Sequence, residues 1–333
     1  MTPAVTEGVY RPAATAALAA FPIAVRSLEL VNVSENITWR VVDETGRRYV
    51  LRLHRPGYHT LDELIAERAW IRALDAAGIH VPRGIRTRTG AEYVPVQVPA
   101  AGEMRHAGLA HWTDGEVLED VLAQGHSADQ LDGWFLQLGA LIARLHNHAS
   151  AWTVPATFTR HALDADGLMG QQPFWGRFWE HEAFTGEQGT LLASARERLH
   201  AALSDLPQTP DTYSVIHADL HPGNLLVYGD SLGIIDFDDA GFGWHVYDLA
   251  VALRSYRAEP FFANVQAALI RGYLRHRTLP DAAIALIPTF ILVRRLASVG
   301  WIMQRPELGV ALDPATANAL CDDVRAYLFS TSA

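Results

Sequence analysis

Apolar and polar residues alternate along much of the first hundred residues, which is the pattern of strands in a half-buried sheet. Five strands are predicted from this alternation and from the turn residues between them: 28–33, 37–43, 48–53, 84–88 and 92–98. Apolar residues recur at helical spacing over 61–77, and Gly78 ends that helix. We expect residues 1–12 to form a loose tail, 13–20 a short helix, and 107–112 an apolar link.

Beyond Gly115 the apolar residues follow a helical period, and one hairpin interrupts the helices. Seven helices are predicted from this period: 117–123, 131–147, 187–205, 248–257, 260–277, 281–303 and 314–329. The change of pattern predicts an α+β chain in two parts. Residues 1–110 form a small antiparallel sheet with one main helix, and residues 111–333 form a larger, mostly helical part.

The hairpin carries the residues with the clearest chemistry. Its two strands and its turn are predicted at these positions: 224–227, 232–237 and 229–231. Asn224 and Asp236 should then face each other, with Cβ atoms about 5 Å apart. An amide and a carboxylate at that separation suit one Mg²⁺ ion, which prefers oxygen ligands. Asp219 lies on the preceding loop, which a Pro-Gly pair bends back, so a base and a metal site are expected in one cleft.

The composition removes several kinds of site. None of the 27 basic residues is lysine, so a P-loop and lysine-based covalent catalysis are both excluded. Cys321 is the single cysteine, which excludes an internal disulfide and a cysteine metal cluster. No uninterrupted apolar run of 18 residues and no secretory signal pattern occur, so we expect a cytoplasmic enzyme without a membrane partner.

Charge is distributed unevenly along the chain. Residues 1–110 carry 13 arginines and 11 acids, whereas residues 111–333 carry 14 arginines and 26 acids. The net charge of −10 therefore comes from the second part. This balance disfavours a nucleic-acid partner. It would tolerate a cationic substrate, although an acidic surface also serves solubility alone.

Two short segments suggest a family. HADLHPGN at 217–224 and IDFD at 235–238 resemble the aminoglycoside phosphotransferase and choline kinase superfamily, which has the protein-kinase-like fold. The resemblance covers about residues 25–300. It implies a bilobal protein, with a nucleotide-binding lobe at 1–110 and a catalytic, acceptor-binding helical lobe at 111–333.

The same resemblance implies roles for the acidic residues. Asp219 would accept the proton of the attacking hydroxyl or orient that hydroxyl. Asn224 and Asp236 would hold Mg²⁺ that bridges the phosphates of ATP. Asp238 would hold a second metal, or is a surface acid. These roles fit phosphoryl transfer, which is mostly positioning and charge neutralisation.

In the first lobe the resemblance implies a cation that contacts the phosphates and pairs with a helix glutamate. Arg52 occupies the position where lysine is commoner, and the two cations are not interchangeable. Glu67 is the expected partner, and Glu63 is the alternative.

Three more residues are implied as nucleotide contacts. Ser34, with nearby backbone N–H groups, would cap phosphate from the glycine-free turn 32–36. Ala110 and Trp112 would offer backbone groups to adenine from the link between the lobes.

Other residues leave alternatives open. Asp248 is either a buried partner of the 217–224 loop or the N-cap of the following helix. Arg294 and Arg295 either meet an anionic acceptor group or are solvated. An aromatic group could form a cation-binding wall, or belong to the core: Phe158, Trp175, Phe178 and Trp179.

The leading hypothesis is an ATP- and Mg²⁺-dependent kinase for the hydroxyl of a small molecule such as an amino alcohol, homoserine-like compound, choline-like compound or aminoglycoside. A Ser/Thr protein kinase of the bacterial stress-response type is the alternative within enzymes. A pseudokinase-like module that binds nucleotide without turnover is the alternative from another class. A metal phosphoesterase built on His217, Asp219 and His221 is the remote one.

Overall fold

A computed structural model describes residues 3–34 and 36–330. The chain divides into two compact units. The first unit contains the residues up to Gly115 together with Val154–Thr159, and the second contains Glu116–Thr153 and the residues from Arg160 onward.

The first unit is an antiparallel sheet with two helices. Its elements within the described residues are α1 (Pro3–Leu18), β1 (Val25–Val33), β2 (Ile37–Asp43), β3 (Arg48–Leu53), α2 (Leu61–Ala76), β4 (Gly84–Ile85), β5 (Val94–Val98) and β6 (Glu103–His111). The sheet order is β1-β2-β3-β6-β4, and β5 also pairs with β6. Strict alternation of buried residues along β2 gives one face to the core, as predicted for such strands.

Two predictions for this unit are wrong. Residues from Pro3 belong to α1 rather than to a loose tail, because Tyr10, Ala14 and Ala17 are buried in the core that α1 shares with the sheet. The expected link at 107–112 is instead the end of β6, a strand paired on both sides. Its apolar residues are explained by that central position in the sheet.

The second unit is mostly helical. Its elements are β7 (Glu116–Val117), α3 (Leu118–Ala123), α4 (Ala128–Ala151), β8 (Ala162–Leu163), α5 (Ala165–Met169), α6 (Gly186–Ser204), β9 (Tyr213–Ile216), β10 (Leu225–Tyr228), β11 (Ser231–Ile234), β12 (Gly241–Trp244), α7 (His245–Leu253), α8 (Phe262–Leu274), α9 (Asp281–Ala285), α10 (Ile287–Met303) and α11 (Pro314–Ser330). The short strands β8, β9 and β12 were not predicted, because segments of two to four residues carry too little pattern.

Helices α4 and α8 pack very closely where each has a glycine. A Cβ atom at Gly139 would lie 1.9 Å from the carbonyl oxygen of Leu269, and one at Gly272 would lie 1.9 Å from that of Leu136. The predicted helix 281–303 is two helices, α9 and α10, with Pro288 in the first turn of the second. No helix among the described residues is both long and apolar enough to cross a membrane.

Candidate active site

Two loops of the second unit carry the predicted acidic residues, and paired strands hold both loops in place. The 217–224 loop runs from β9 to β10, and the 235–240 loop runs from β11 to β12. Strand β9 pairs with β12, and β10 pairs with β11, so the loops begin and end beside each other. This pairing brings residues that are far apart in sequence into one site.

The hairpin is shorter than predicted. Leu225 pairs with Ile234, and the N–H of Ile235 donates to the carbonyl oxygen of Asn224 at 3.0 Å. Asn224 therefore faces Ile235, and Asp236 lies one residue further along, with a left-handed φ of 63°. The expected direct pairing of Asn224 with Asp236 is wrong by one residue, because the turn between the strands has two residues, 229–230, rather than the three predicted.

Asn224 is tied directly to Asp219. Its side-chain amide nitrogen donates to the backbone oxygen and to Oδ2 of Asp219, both at 2.9 Å. Because the amide nitrogen is used in this way, the amide oxygen of Asn224 is directed elsewhere. An amide oxygen and a carboxylate, such as that of Asp236 on the adjoining loop, are the ligand types that Mg²⁺ selects. The donor set therefore fits a hard divalent cation.

Arg294 of α10 forms an ion pair with Asp219 that the sequence did not assign. Its Nη2 lies 2.5 Å from Oδ1 of Asp219, and its Nη1 lies 3.6 Å from Oδ2 of Asp239. Arg294 is buried, and its guanidinium stacks over the ring of Trp175 at 4.9 Å. Trp175, one of the aromatic residues considered as a cation-binding wall, therefore contacts a cation of this chain. Trp175 and Phe178 are both core residues.

The pKa of Asp219 reflects two opposing effects. Burial raises it, but the charge of Arg294, the hydrogen bond and charge of His221 and the charge of Arg254 together lower it more, so that the pKa lies well below its ordinary value. The carboxylate is therefore ionised at any physiological pH. Such a weak base is suited to orienting a hydroxyl group as a hydrogen-bond acceptor, and less to removing its proton early in the reaction.

Asp248 holds the other side of the 217–224 loop. Its two carboxylate oxygens accept from the N–H of His217 at 3.1 Å and from the N–H of Ala218 at 2.7 Å. The N-cap of α7 is Trp244, so the reading of Asp248 as a cap is wrong and the loop-partner reading is correct. Burial raises the pKa of Asp248 to about 6.

A histidine and a tyrosine complete the surroundings of Asp248. Nε2 of His146 lies 3.1 Å from the carboxylate, and Nδ1 lies 2.9 Å from the hydroxyl of Tyr273. Burial lowers the pKa of His146 well below its ordinary value, so this contact is a hydrogen bond from a neutral ring to a carboxylate. Nδ1 must then accept from Tyr273.

Both ring nitrogens of His217 are engaged in holding the backbone. Nδ1 accepts from the N–H of Asp219 at 3.2 Å, so Nε2 donates to the carbonyl oxygen of Ile235 at 3.1 Å. A ring with both nitrogens used cannot bind a metal through either one. The geometry thus contradicts a metal site built on His217, and the histidine instead links the two loops.

Ala218 and Asp236 are the non-glycine residues in the described chain with left-handed backbone, at φ 68° and 63°. For alanine this conformation costs about 1–2 kcal/mol. At Ala218 it turns two successive N–H groups toward the one carboxylate of Asp248. The strain is thus balanced by buried hydrogen bonds at this loop.

Arg160 holds the 235–240 loop, and it too was not predicted. Its buried guanidinium donates to the carbonyl oxygens of Asp238 and, at 2.5 Å, of Ala240. Asp238 is itself only 3% exposed, so it is not a surface acid. A second metal-binding role for Asp238 remains a prediction.

In the first unit, Arg52 is half-buried on β3 and Glu67 is buried on α2. The pKa of Arg68 is raised overall. Burial and the charge of Arg52 lower it, but the contributions of Tyr93 and Glu67 raise it more. Arg52 and Glu67 therefore both act on the guanidinium of Arg68. The carboxylate of Glu63, the alternative partner, accepts from the N–H of Thr60 at 2.8 Å and closes a capping box.

Backbone groups of the other predicted nucleotide contacts, Ser34, Ala110 and Trp112, are paired within the first unit. The N–H of Ser34 donates to the carbonyl oxygen of Asn36 at 3.1 Å, and Glu35 in the same turn lies outside the described residues. The N–H of Trp112 donates to the carbonyl oxygen of Arg48 at 3.0 Å, so this N–H is already used and cannot donate to adenine. Ala110 pairs with a neighbour on each side inside the sheet, which corrects its assignment as a free backbone contact.

Comparison with known proteins agrees with this geometry. The family model of the "Phosphotransferase enzyme family" matches residues 28–284. The chain belongs to this phosphotransferase family. Its enzyme class is therefore that of kinases, and its fold is the bilobal α+β plan expected from the two short segments.

Three relatives illustrate the range of this phosphotransferase family. A homoserine kinase of Granulibacter bethesdensis is 31% identical over 256 residues, which cover 74% of this chain and 71% of the relative. The structure of a microcompartment-associated aminopropanol kinase is 31% identical, with a TM-score of 0.77 and 92% of each chain covered. An amicoumacin kinase in complex with AMP-PNP and Ca²⁺ shares the fold at 21% identity, with a TM-score of 0.77 and 98% and 95% covered.

Proposed function

We propose that this phosphotransferase moves the γ-phosphate of ATP to the hydroxyl group of a small amino alcohol, with Mg²⁺ as the metal. The observation that carries the proposal is the pair formed by Asp219 and Asn224, in which one amide joins the ionised carboxylate to the candidate metal site. A base and a metal site must be adjacent for an attacking hydroxyl to meet the γ-phosphate.

Each residue of the site then has a defined task. Asp219 accepts a hydrogen bond from the attacking hydroxyl and takes its proton late in transfer, while Arg294 keeps the carboxylate ionised and fixes its direction. Asn224 and Asp236 would hold the metal, which neutralises charge on the phosphates. His217 and Asp248 hold the loop backbone so that these groups keep their spacing.

Arg52 is the proposed phosphate contact of the first unit, with Glu67 as its partner. The forked guanidinium can replace the ammonium of a lysine, although it is longer and prefers paired oxygen atoms. Ser34 remains a proposed phosphate contact.

The acceptor class follows from the relatives. By name, one acts on homoserine, one on aminopropanol and one on amicoumacin. Homoserine and aminopropanol are small molecules with one hydroxyl and one amine. AMP-PNP and Ca²⁺ in the third relative support a nucleotide and a divalent ion as co-reactants.

The test is a phosphoryl-acceptor screen with labelled ATP and Mg²⁺ across amino alcohols, aminoglycosides and a generic protein substrate. We expect label on an amino alcohol and none with Asp219→Asn. Asp230→Asn is the matched control, because Asp230 is an exposed turn residue of the same hairpin. Label on the protein substrate alone would favour the protein-kinase alternative. Nucleotide binding without Asp219-dependent transfer to any acceptor would favour the pseudokinase-like module.

A further inference from the structure

A cavity of about 460 Å³ lies in the second unit among α8, α10 and α11. Most of its lining is apolar, with Phe262 and Leu292 among the walls, and its charged lining residues are Arg257, Arg295 and Asp323. An apolar cavity with a few convergent polar groups is the usual form of a small-molecule site.

The charges around this cavity do not balance. Asp323 forms ion pairs with both Arg257 and Arg295, so that one carboxylate serves two guanidinium groups. Burial, with the nearby charges of Arg257 and Arg254, lowers the pKa of Arg295 to about 10. The lining therefore holds two guanidinium groups and one carboxylate, a positive excess that one further carboxylate would offset.

Helix α10 contributes residues both to the surroundings of Asp219 and to the cavity. Its consecutive residues Arg294 and Arg295 pair with Asp219 and line the cavity, respectively. The charge of Arg254 lowers the pKa of Asp219 as well as that of Arg295. Its Nη1 donates to the hydroxyl of Ser298, also on α10, at 2.8 Å.

We propose that Arg295 and Arg257 bind a carboxylate of the phosphoryl acceptor in this cavity, so that the substrate is a hydroxy amino acid rather than an amino alcohol without an acid group. This inference rests on the proposed kinase function. A guanidinium binds a carboxylate through two parallel hydrogen bonds, which fixes the direction of the ligand as well as its affinity. The apolar walls then contact the carbon chain that leads to the hydroxyl.

Two pairs of compounds test the proposal, because the members of each pair differ only in the carboxylate. They are homoserine with 3-aminopropan-1-ol, and threonine with 1-aminopropan-2-ol. Binding is measured by calorimetry and phosphoryl transfer by labelled ATP, both on the full chain. We expect at least one acid to bind about tenfold more tightly than its decarboxylated partner, as a charge-assisted hydrogen bond warrants.

Arg295→Gln is the informative variant, because Asp323 keeps Arg257 as its partner. In Arg295→Gln we expect the ratio of affinities between the acid and its decarboxylated partner to fall below about threefold. Arg295→Lys should restore part of this ratio. Arg271→Gln is the control, since Arg271 is an exposed residue of α8 that pairs with Asp132. It should leave the difference as in the unaltered protein.

Equal or tighter binding of both decarboxylated compounds would overturn the proposal, as would no binding of either acid. An unchanged difference in Arg295→Gln would overturn it too. Transfer to decarboxylated compounds alone contradicts the cavity assignment and leaves the kinase standing. Preferential binding of an acid without transfer to any compound supports the cavity and contradicts the kinase.

Discussion

Two carboxylates at the 217–224 loop, half-buried Asp219 and fully buried Asp248, have pKa values that move in opposite directions. On the side of the candidate metal site, Asp219 faces the cation of Arg294, and its pKa lies below the ordinary range. On the inner side, Asp248 accepts hydrogen bonds from neutral groups, and burial raises its pKa to about 6. The same residue type is thus a permanent anion in one region and a titratable support in the other.

The difference shows that one short loop can contain a carboxylate that stays charged and depend for its shape on another carboxylate that titrates. The charges of Arg294 and Arg254, with the hydrogen bond and charge of His221, together outweigh desolvation at Asp219, whereas the groups around Asp248 offset only part of it. The charge of Asp219 therefore does not vary with pH in the cell. The hydrogen bonds that shape the loop depend on Asp248, and these can change in mildly acid solution.

The largest effect is expected from removing the charge of Asp219. Asp219→Asn should lower kcat by at least about 10²-fold, because the variant loses the acceptor for the hydroxyl proton. Steady-state kinetics with the acceptor found in the screen measures this. Asp230→Asn should keep kcat within about twofold, since substitutions at exposed sites rarely matter. Equal losses in both variants would show that Asp219 has no special role.

Replacing Arg294 by a neutral residue should shift the pKa of Asp219 upward, in the direction already seen for Asp248. In Arg294→Gln, burial is opposed less strongly, by His221 and Arg254, so the pKa of Asp219 rises and activity falls at a higher pH than in the unaltered protein. Breaking a buried ion pair should also cost about 3 kcal/mol of unfolding free energy. Activity against pH and urea unfolding measure the two effects.

If Arg294→Gln is too unstable to assay, Arg294→Lys replaces it. The lysine keeps a positive charge, so this variant should retain the original pH profile. Arg325→Gln, in an exposed ion pair with Asp322, should change neither activity nor stability. A pH profile that stays unchanged in folded Arg294→Gln would contradict the role given to this cation.

Protonating Asp248 should lower activity as the pH falls through about 6, because the acid form holds the N–H groups of His217 and Ala218 less well. The folded pKa lies above the unfolded value near 4, so the folded state binds more protons between these values. The contribution of Asp248 to stability therefore rises as the pH falls through this window, while activity falls.

The kcat/KM profile and the unfolding free energy, measured from pH 7.5 to 5, separate the two trends. Asp248→Asn should be less active at pH 7.5 and should lack the decline near pH 6. The same decline in this variant would assign it to another group.

The smallest effect is expected at Ala218, between the two carboxylates. Ala218→Gly relieves the left-handed strain of about 1 kcal/mol but adds similar freedom to the unfolded chain. We expect unfolding free energy within about 1 kcal/mol of the original and activity within about threefold. Ala218→Val is the contrasting variant, because a β-branched residue fits this φ badly. Equal stability of the glycine and valine variants would contradict the strain at this residue.

Several features were predictable because they depend on neighbours in sequence. The loop with Asp219 and Asn224, the following hairpin and the capped helix α2 each lie within about twenty residues, so local pattern and spacing suffice. The family resemblance rested on the same short segments. The expected position of Asp236 was displaced by one residue, because the length of the turn sets the register of the hairpin and the turn has two residues rather than three.

Other features came from residues far apart in the chain. Arg294 lies 75 residues beyond Asp219, and Arg160 lies 78 residues before Asp238. A sequence contains no sign that these pairs meet, and each arginine by itself would suit a solvated surface. The segment 107–112 was predicted as a link for a related reason, since the burial of its strand residues comes from strands on both sides.

The amino-acid sequence alone predicted a sheet part followed by a helical part, from local periodicity, and the two short segments at 217–224 and 235–238 indicated the phosphotransferase family by resemblance. The loop proposed to carry the chemistry was singled out by the same segments, because its residue types lie at short spacing. The tertiary structure alone decided which cation faces Asp219, which carboxylate supports the loop, and where arginines gather around an apolar cavity. Those outcomes depend on packing between distant segments, where burial and electrostatic interaction set the charge of each group.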